Sequence, residues 1–570
     1  PDITLTNAFL SFMGSVSAVN ISLAGTSIIT HATCTTSQEY SLEMVVSNTF
    51  SIGSNSSIDV SGRGYLPTLT VGNTTNGGST GSSGGSYGGI GGGGAAGGAY
   101  GDYRSPTNPG SGGGDSHAGT GGGRINIHCG TLTLAGSILA NGGNGTSGWN
   151  AGGGSGGGIR IETHALGGNG LISACGGNGN SSGGGGGGGR LAVYYEELDG
   201  FNLTNGLLAA GGSGSGGGSA GTIYSRQTNG AGRLRLDNRA VINSAKTPLW
   251  RADGTNDFEE VSIRGTNLIV ELPTGTVSAA SLMLEGGAIL VHAACTTNRE
   301  YSLNLFIHGP MTVATNCAID VSSRGYLPGR TLGNTTNGAS TGSSGGSYGG
   351  LGGGSTPNAV YGEAWAPNEK GSGGGGTYGG LGGGLVRLHA ESLTVAGNIL
   401  ANGGNGSSGW NAGGGSGGGL FVDVGELTVL GSIQAKGGNG NSSGGGGGGG
   451  RIAIYYDALL SSNLEQHISV AGGSGNGAGQ AGSLNISNAV PDLRVMAASP
   501  SGYVHGAISS LGLTFNTSVD ATSLTTDDLD FRDPNGNSIA LASISAQSVA
   551  DFLVLLNTGL ETEGTYTLTV

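Results

Sequence analysis

The sequence predicts an all-β protein with two glycine-rich β-solenoid (β-helix-like) modules and a C-terminal β-sandwich. Three observations support this prediction: a long duplication at constant spacing, short alternating strands between glycine tracts, and the loss of glycine near residue 495. The 128 glycines and 13 prolines make up about a quarter of the 570 residues, a level at which sequences without a period are usually disordered. Periodicity therefore decides between order and disorder in this chain.

The duplication keeps its register through the glycine tracts. The segment GGNGNSSGGGGGGGRLAVYY at 176–195 returns as GGNGNSSGGGGGGGRIAIYY at 437–456, an offset of 261 residues. Flexible linkers tolerate changes of length, so a constant offset indicates that the glycines occupy fixed positions. We predict a first module at 1–276, a second at 277–492, and a sandwich at 493–570 that we expect to be truncated.

A finer repeat lies within each module. Segments starting at Arg124, Ile159 and Arg190 alternate apolar and polar residues, begin 31 to 35 residues apart and are each followed by glycine. This period-2 alternation predicts half-buried strands, and one such unit stacked on the next would form a coil of a β-solenoid. Without Cβ atoms, the glycine tracts could lie side by side in a polyproline-II-like conformation, so we expect glycine layers beside the strands.

The last 75 or so residues have a different pattern. Alternating segments at 509–515, 550–556 and 565–570, with a turn at 533–536, are typical of a β-sandwich. The same region holds four acidic residues that are weak candidates for calcium binding or, alternatively, a solvated acidic loop. These candidates are Asp527, Asp528, Asp530 and Asp533. Apart from this weak calcium candidate, we expect no cofactor and no metal site.

Motifs in the chain resemble two known groups of bacterial protein domains. The motifs SPSG, LTFNTSVDATSLTTDDLDF and GTYTLTV resemble the bacterial Ig-like domains of surface-layer and adhesive proteins. The motifs IDVSGRGY, GGSYGG, GGGSGGG and GGGGGGRLAVYY resemble the glycine-rich repeat modules of very large secreted bacterial surface proteins. The resemblance implies an Ig-like sandwich and an extracellular, cell-surface or matrix location, and it supplies no catalytic residues.

Composition excludes several classes of function. The formal net charge is -14 and no cluster of Lys and Arg occurs, which argues against nucleic-acid binding. No run of 18 apolar residues is present, so we predict no membrane span in this segment. The five cysteines show neither a CxxC motif nor a metal-ligand spacing, so we expect neither a disulfide framework nor a structural zinc site.

Recurring aromatic residues are candidates for a ligand surface on which sugars would stack. Covering the bare glycine backbone is the role that we favour over a ligand surface, because a glycine layer has no side chains of its own to exclude water. The candidates are Tyr87, Trp149 and Tyr195 in the first module and Tyr348, Trp410 and Tyr456 in the second.

No arrangement of residues predicts catalysis. Polysaccharide hydrolysis requires two carboxylates placed beside each other. The sequence does not clearly place a second carboxylate beside the first in either candidate set. These sets are Asp59 with Arg63 and Asp102, and their repeats Asp320 with Arg324 and Glu363. We therefore predict that the chain is not an enzyme but an extracellular structural or adhesive protein: a cell-surface stalk, matrix element or adhesin. Its expected partners are cell-surface or matrix polysaccharides or proteins, and further copies of itself. The alternatives are an array of carbohydrate-binding modules and a polysaccharide-degrading β-helix enzyme.

Overall fold

The computed structural model describes the whole chain except residues 148, 243–244, 250–255, 273–275, 409–410, 489–494, 500–507, 516–518, 520–523, 548–550, 561–564 and 570. About 41% of the chain is strand and 3% is helix, which confirms the all-β prediction. The residues fall into two compact units. The first comprises 1–273, 278–291 and 312–319, and the second comprises 274–277, 292–311 and 320–570.

Twenty strands lie among the described residues before position 293. They are β1 (Ile3–Thr6), β2 (Phe9–Phe12), β3 (Gly14–Ala18), β4 (Ile21–Ala24), β5 (Ile28–His31), β6 (Leu42–Ile52), β7 (Ser57–Asp59), β8 (Arg124–Leu134), β9 (Ser137–Leu139), β10 (Gly158–Gly167), β11 (Leu171–Ser173), β12 (Arg190–Asp199), β13 (Leu207–Leu208), β14 (Thr222–Gln227), β15 (Gly232–Asp237), β16 (Lys246–Pro248), β17 (Asn256–Arg264), β18 (Ile269–Leu272), β19 (Thr276–Glu285) and β20 (Ile289–His292).

Fifteen more strands follow in the described part of the chain. They are β21 (Leu303–Val313), β22 (Ala318–Asp320), β23 (Leu385–Val395), β24 (Asn398–Leu400), β25 (Gly419–Val429), β26 (Ser432–Gln434), β27 (Arg451–Leu459), β28 (Ile468–Ser469), β29 (Ser483–Ser487), β30 (Val495–Ser499), β31 (Ile508–Phe515), β32 (Asp530–Arg532), β33 (Leu541–Ala546), β34 (Asp551–Leu560) and β35 (Thr567–Thr569).

Helices are short. The α-helix α1 spans Leu203–Gly206, where the side chain of Asn202 accepts hydrogen bonds from the backbone N–H groups of Thr204 and Asn205. Three 3-10 helices span Leu332–Asn334, Leu464–His467 and Thr526–Asp528. Among the described residues, no helix is long and apolar enough to cross a membrane.

The first unit contains a long parallel sheet and a second, narrower one. Strands β1, β4, β6, β8, β10, β12 and β14 pair in parallel in that order, and β14 then pairs with β15 in an antiparallel hairpin. The narrower sheet runs β13, β11, β9, β7, β5 and β2, also in parallel. Because each strand contributes alternate residues inward, the paired positions Ile125, Ile159, Leu191 and Ile223 form a buried ladder.

The second unit repeats this pairing at the same spacing. Val386 pairs with Leu420 just as Ile125 pairs with Ile159, 34 positions apart, and Leu420 pairs with Ile452 just as Ile159 pairs with Leu191, 32 positions apart. A narrower parallel sheet runs β24, β26 and β28. The spacing of 31 to 35 residues expected from the sequence is confirmed by these registers.

The C-terminal residues form antiparallel sheets. Strands β30, β31, β34 and β33 make one sheet, and β32 pairs with β35 in another. Phe515 and Phe552 pack edge to face in their core with ring centroids 5.6 Å apart. The strands predicted at 509–515 and 550–556 correspond to β31 and β34.

The glycine tracts pack side by side through backbone hydrogen bonds. In the tract 183–189 the N–H groups of Gly184 and Gly187 donate to the carbonyls of Ser82 and Gly85. The next N–H groups, of Gly185 and Gly188, donate to Gly216 and Ser219, and those of Gly186 and Gly189 donate to Gly177 and Ala174. The direction of donation thus repeats every three residues, the period of a polyproline II helix.

Further tracts donate to this one, so that six segments surround it. Carbonyls of the tract 184–188 accept hydrogen bonds from three further segments. The donors are the N–H groups of Gly153 and Gly156, of Gly89 and Gly92, and of Gly212. In the second unit Gly445, Gly446 and Gly447 donate to Ser343, Gly477 and Gly438, the same partners displaced by 261 residues. We call this arrangement the glycine lattice. The tracts thus lie side by side, as the sequence predicted.

Candidate functional site

Two of the predicted ligand-surface residues, Tyr87 and Tyr348, are fully buried. Tyr87 packs against Tyr100 with ring centroids 4.7 Å apart, and Tyr348 packs against Tyr361 at 4.9 Å. Burial raises the pKa of Tyr87 to about 12. Placing these two tyrosines on an exposed surface is therefore wrong, because their rings are enclosed by other parts of the chain and cannot meet a ligand from solvent.

A buried arginine lies over each of these tyrosine pairs. Arg190 is 1% exposed, its Nε donates to the carbonyl of Tyr100 at 2.8 Å, and its Nη1 donates to Oγ1 of Thr222 at 3.2 Å. Arg451 repeats the first contact, donating to the carbonyl of Tyr361 at 2.9 Å. Burial lowers the pKa of Arg190 below its ordinary value, opposed by the neighbouring Tyr87. These arginines tie the loops that carry the tyrosines to strands β12 and β27.

The other predicted aromatics differ in exposure. Tyr195 is 7% exposed and packs with the core of the first unit. Tyr456 is partly buried and lines an open cavity of about 320 Å³ together with Asn463, Leu464 and Ile486. Trp410 lies outside the described residues.

Trp149 is the predicted residue whose ring is exposed. It is 55% exposed, and it stacks on His117 with ring centroids 3.9 Å apart and an interplanar angle of 14°. Trp149 therefore has the accessibility that a stacking ligand requires, which the buried tyrosines lack.

The acidic calcium candidates do not converge on a common point. Asp528 caps a 3-10 helix by accepting from Thr525, Asp530 pairs with Arg532 at 2.7 Å, and Asp533 accepts from the backbone of Asn535 and Asn537. These hydrogen bonds lower the pKa of Asp528 and of Asp533. Asp527, whose N–H donates to Thr525, lies in the same 3-10 helix. No group of three His, Cys, Asp or Glu that could hold a metal ion occurs in the described part of the chain.

The carboxylates considered for catalysis form local turns. Asp59 Oδ1 accepts from the N–H of Ser61 and Asp320 Oδ1 accepts from that of Ser322, both at 2.9 Å. Asp102 Oδ1 likewise accepts from the N–H of Arg104 at 2.8 Å. These carboxylates therefore hold local turns and do not converge on a shared cleft.

Sequence reasoning missed a polar cluster on the outer face of the first unit's long sheet. Arg124 Nη2 lies 2.9 Å from Glu43 Oε1, and Asn126 donates to Glu43 Oε2 at 2.7 Å. Two further contacts join neighbouring strands in this cluster, which we call the charged face. They are His128 with Glu162 at 3.4 Å and His164 with Glu196 at 2.7 Å. Lining up the strands at 34 and 32 residues would have revealed the two His–Glu contacts, whereas Glu43 pairs with Asn126 at a separation of 83 residues that the repeat does not predict.

The charged face is duplicated only in part: His389 Nδ1 lies 3.5 Å from Asp423 Oδ2, as His128 Nδ1 lies 3.4 Å from Glu162 Oε2. Arg160 and Glu162 are partly exposed, whereas their counterparts Phe421 and Asp423 are 3% and 6% exposed. The partly exposed Arg160–Glu162 pair is therefore found in the first unit but not at the equivalent positions of the second.

A buried acidic cluster, in turn, is confined to the second unit. The hydroxyl of Tyr326 donates to Glu369 at 3.0 Å, and Lys370 donates to Glu300 at 2.9 Å. Burial raises the pKa of Glu369 above its ordinary value, opposed by Lys370 and by the hydrogen bond from Tyr326. In the first unit Asn108 and Pro109 stand where Glu369 and Lys370 stand in the second.

None of the five cysteines forms a disulfide. Four of them are buried, and burial raises the pKa of each thiol. A raised thiol pKa leaves little thiolate, so these cysteines are poor nucleophiles.

Comparison with known proteins finds no matching family, no similar curated protein and no similar solved structure.

Proposed function

We propose that the chain is an extracellular structural or adhesive protein: a cell-surface stalk, matrix element or adhesin. In this proposal the parallel sheets and their glycine tracts form two β-solenoid modules, and the C-terminal antiparallel sheets form an Ig-like sandwich. The resemblance to glycine-rich modules of secreted bacterial surface proteins suggests the location.

The observation that carries the proposal is the glycine lattice, repeated in both units. A tract bonded to six neighbours buries its backbone without side chains, and every N–H from Gly184 to Gly189 has a backbone partner. Such a lattice favours a rigid, uniform body whose length grows by adding units, as a stalk or matrix element requires.

A second candidate function is an array of carbohydrate-binding modules. The exposed ring of Trp149, stacked on His117, favours it. The two functions are compatible, because a rigid stalk can present a weak ligand site at each repeat and gain strength through multivalency.

Hydrogen exchange on the full chain tests the structural role. The amides of 153–158, 183–189 and 444–450 should exchange far more slowly than those of the exposed turn 54–55, which serves as the internal control. Rapid exchange throughout the glycine tracts would contradict a rigid scaffold.

Two further measurements test location and the absence of catalysis. Antibodies against the chain should label intact, unpermeabilised cells of its source, and the protein should release no reducing ends from polysaccharides. Labelling that requires permeabilisation would refute the extracellular location. Sustained release of reducing ends would show instead that the chain is an enzyme.

A further inference from the structure

The exposed indole of Trp149 is held in place on one side only. His117 covers one face of the ring in nearly parallel stacking, at a centroid distance of 3.9 Å. With 55% of the residue exposed, the ring remains accessible to solvent. The face of the indole that His117 does not cover is therefore available for a ligand to stack on.

Backbone hydrogen bonds join the turn that carries His117 to the segment just before Trp149. The N–H of His117 donates to Asp115 Oδ1 at 2.7 Å, and the N–H of Thr146 donates to the carbonyl of His117 at 2.9 Å. Next to Thr146, the N–H of Gly145 donates to the carbonyl of Asn178 at 2.8 Å. His117, on which the indole stacks, is thus held in place before any ligand arrives, which lowers the entropic cost of binding.

The surroundings of the ring are polar and almost uncharged. Asn150 Oδ1 accepts from the N–H of Ser182 at 3.3 Å, which joins the neighbouring turn to the same surface. The exposed residues on these turns carry amides and hydroxyls, and the two titratable side chains, Asp115 and His117, face each other at 4.0 Å. The exposed amide and hydroxyl residues are Asn144, Thr146, Ser147, Asn150, Ser181 and Ser182.

We infer that Trp149 and His117 form the stacking platform of a binding site for a neutral polysaccharide. The apolar C–H face of a pyranose ring would lie on the exposed face of the indole. Its hydroxyl groups would exchange hydrogen bonds with the amides and hydroxyls beside the ring, directly or through water. This inference rests on the proposed extracellular function and names a ligand class for it.

Other partners fit these residues less well. Nucleic acid would require Lys or Arg to neutralise phosphates, and these residues include none. A second copy of the chain would require a large interface with an apolar centre, whereas here a single ring is surrounded by polar groups.

Binding of neutral oligosaccharides to the full chain tests the site. Two proteins are compared: one carries Trp410→Ala alone and the other carries Trp410→Ala with Trp149→Ala. Removing Trp410 from both ensures that the tryptophan at the equivalent sequence position does not contribute to binding. Calorimetry with hexamers of β-1,4-glucan, β-1,3-glucan, α-1,4-glucan, α-1,6-glucan, mannan and chitin should detect binding of at least one. Adding Trp149→Ala should lower the association constant at least about tenfold.

Two further variants separate the platform from general effects on folding. Trp149→Tyr, which keeps an aromatic ring, should retain measurable binding. Trp365→Ala removes another exposed tryptophan, 46% exposed, and should leave the association constant unchanged. Circular dichroism would confirm that each variant is folded.

Several results would overturn the inference. These are unchanged binding by Trp149→Ala, no binding of any of the six hexamers, tighter binding of an acidic oligogalacturonate, or a concentration-dependent dimer that Trp149→Ala dissociates. If the glycine amides stay protected from exchange while one of these results is found, only the ligand site fails and the structural role remains.

Discussion

The guanidinium carbon of Arg190 lies 5.5 Å from the ring centroid of Tyr87, and Arg451 lies 5.4 Å from that of Tyr348. The same buried cation–π contact therefore occurs once in each unit. Because the arginine also donates to the carbonyl of the second tyrosine, it joins the loop, the ring pair and the sheet in one contact.

We expect Arg190→Lys to destabilise the first unit by about 2 kcal/mol, because lysine keeps the buried charge but loses the directed bonds to Tyr100 and Thr222. Urea denaturation measures the effect. Arg226→Lys, at an exposed position, is the control and should change stability by less than about 0.5 kcal/mol. An equal decrease in the free energy of unfolding for the two variants would show that the buried arginine contacts do not contribute more to stability than an exposed arginine does.

A methyl group should not fit inside the glycine lattice. A Cβ at Gly185 would lie 1.9 Å from the carbonyl oxygen of Gly212, so Gly185→Ala must push two tracts apart. We expect a loss of about 3 kcal/mol or more, at the upper end for overpacking. Gly94→Ala, where a Cβ meets nothing within 4 Å, is the matched control. Thermal unfolding of the two variants compares them, and similar midpoints would argue against tight packing of the tracts.

Acid should destabilise the second unit through His292. Burial lowers the pKa of His292 to about 3, with its Nδ1 bonded to the carbonyl of Ala293 at 2.7 Å. The unfolded histidine binds a proton near pH 6.5 and the folded one does not, so the stability it contributes is present above pH 6.5 and declines as the pH falls towards 3. His292→Asn should flatten this part of the profile of unfolding midpoint against pH. An unchanged profile would mean that His292 is not the responsible group.

Glu369 should make the second unit less stable as the pH rises, the opposite of the pH dependence expected from His292. Because its pKa is raised in the folded protein, the stability it contributes is fully present below its ordinary pKa of 4.5 and declines as the pH rises through the raised value. Glu369→Gln should remove this decline, while Glu363→Gln, at an exposed position, should leave it in place. The midpoint of thermal unfolding across this pH range checks both, and a decline that persists in Glu369→Gln would contradict the assignment.

The regular part of the fold could be predicted because it depends on spacing. The 261-residue offset and the units of 31 to 35 residues determine which strands pair, and the observed partners Ile125, Ile159 and Leu191 follow that spacing. The antiparallel hairpin β14–β15 was not predicted, although Asn229-Gly230 at its tip is a strong hairpin signal.

The candidate site could be predicted only in part. Tyr87 and Trp149 both stand between glycine tracts, and the local sequence does not distinguish the buried ring from the exposed one. Tyr87 is covered by Tyr100 and Arg190, the latter more than 100 positions away, whereas Trp149 meets His117 on one face only. Burial of these rings is set by long-range packing that period and composition do not encode.

The three-residue rhythm of hydrogen bonding limits how the glycine lattice can change in evolution. Inserting one residue into the tract 183–189 would turn every later N–H by a third of a revolution, towards the wrong neighbour. Inserting three would restore the direction and lengthen the tract by one helical turn. Viable length variants of such a tract should therefore differ by multiples of three residues, a constraint that comes from backbone hydrogen bonding and not from side chains.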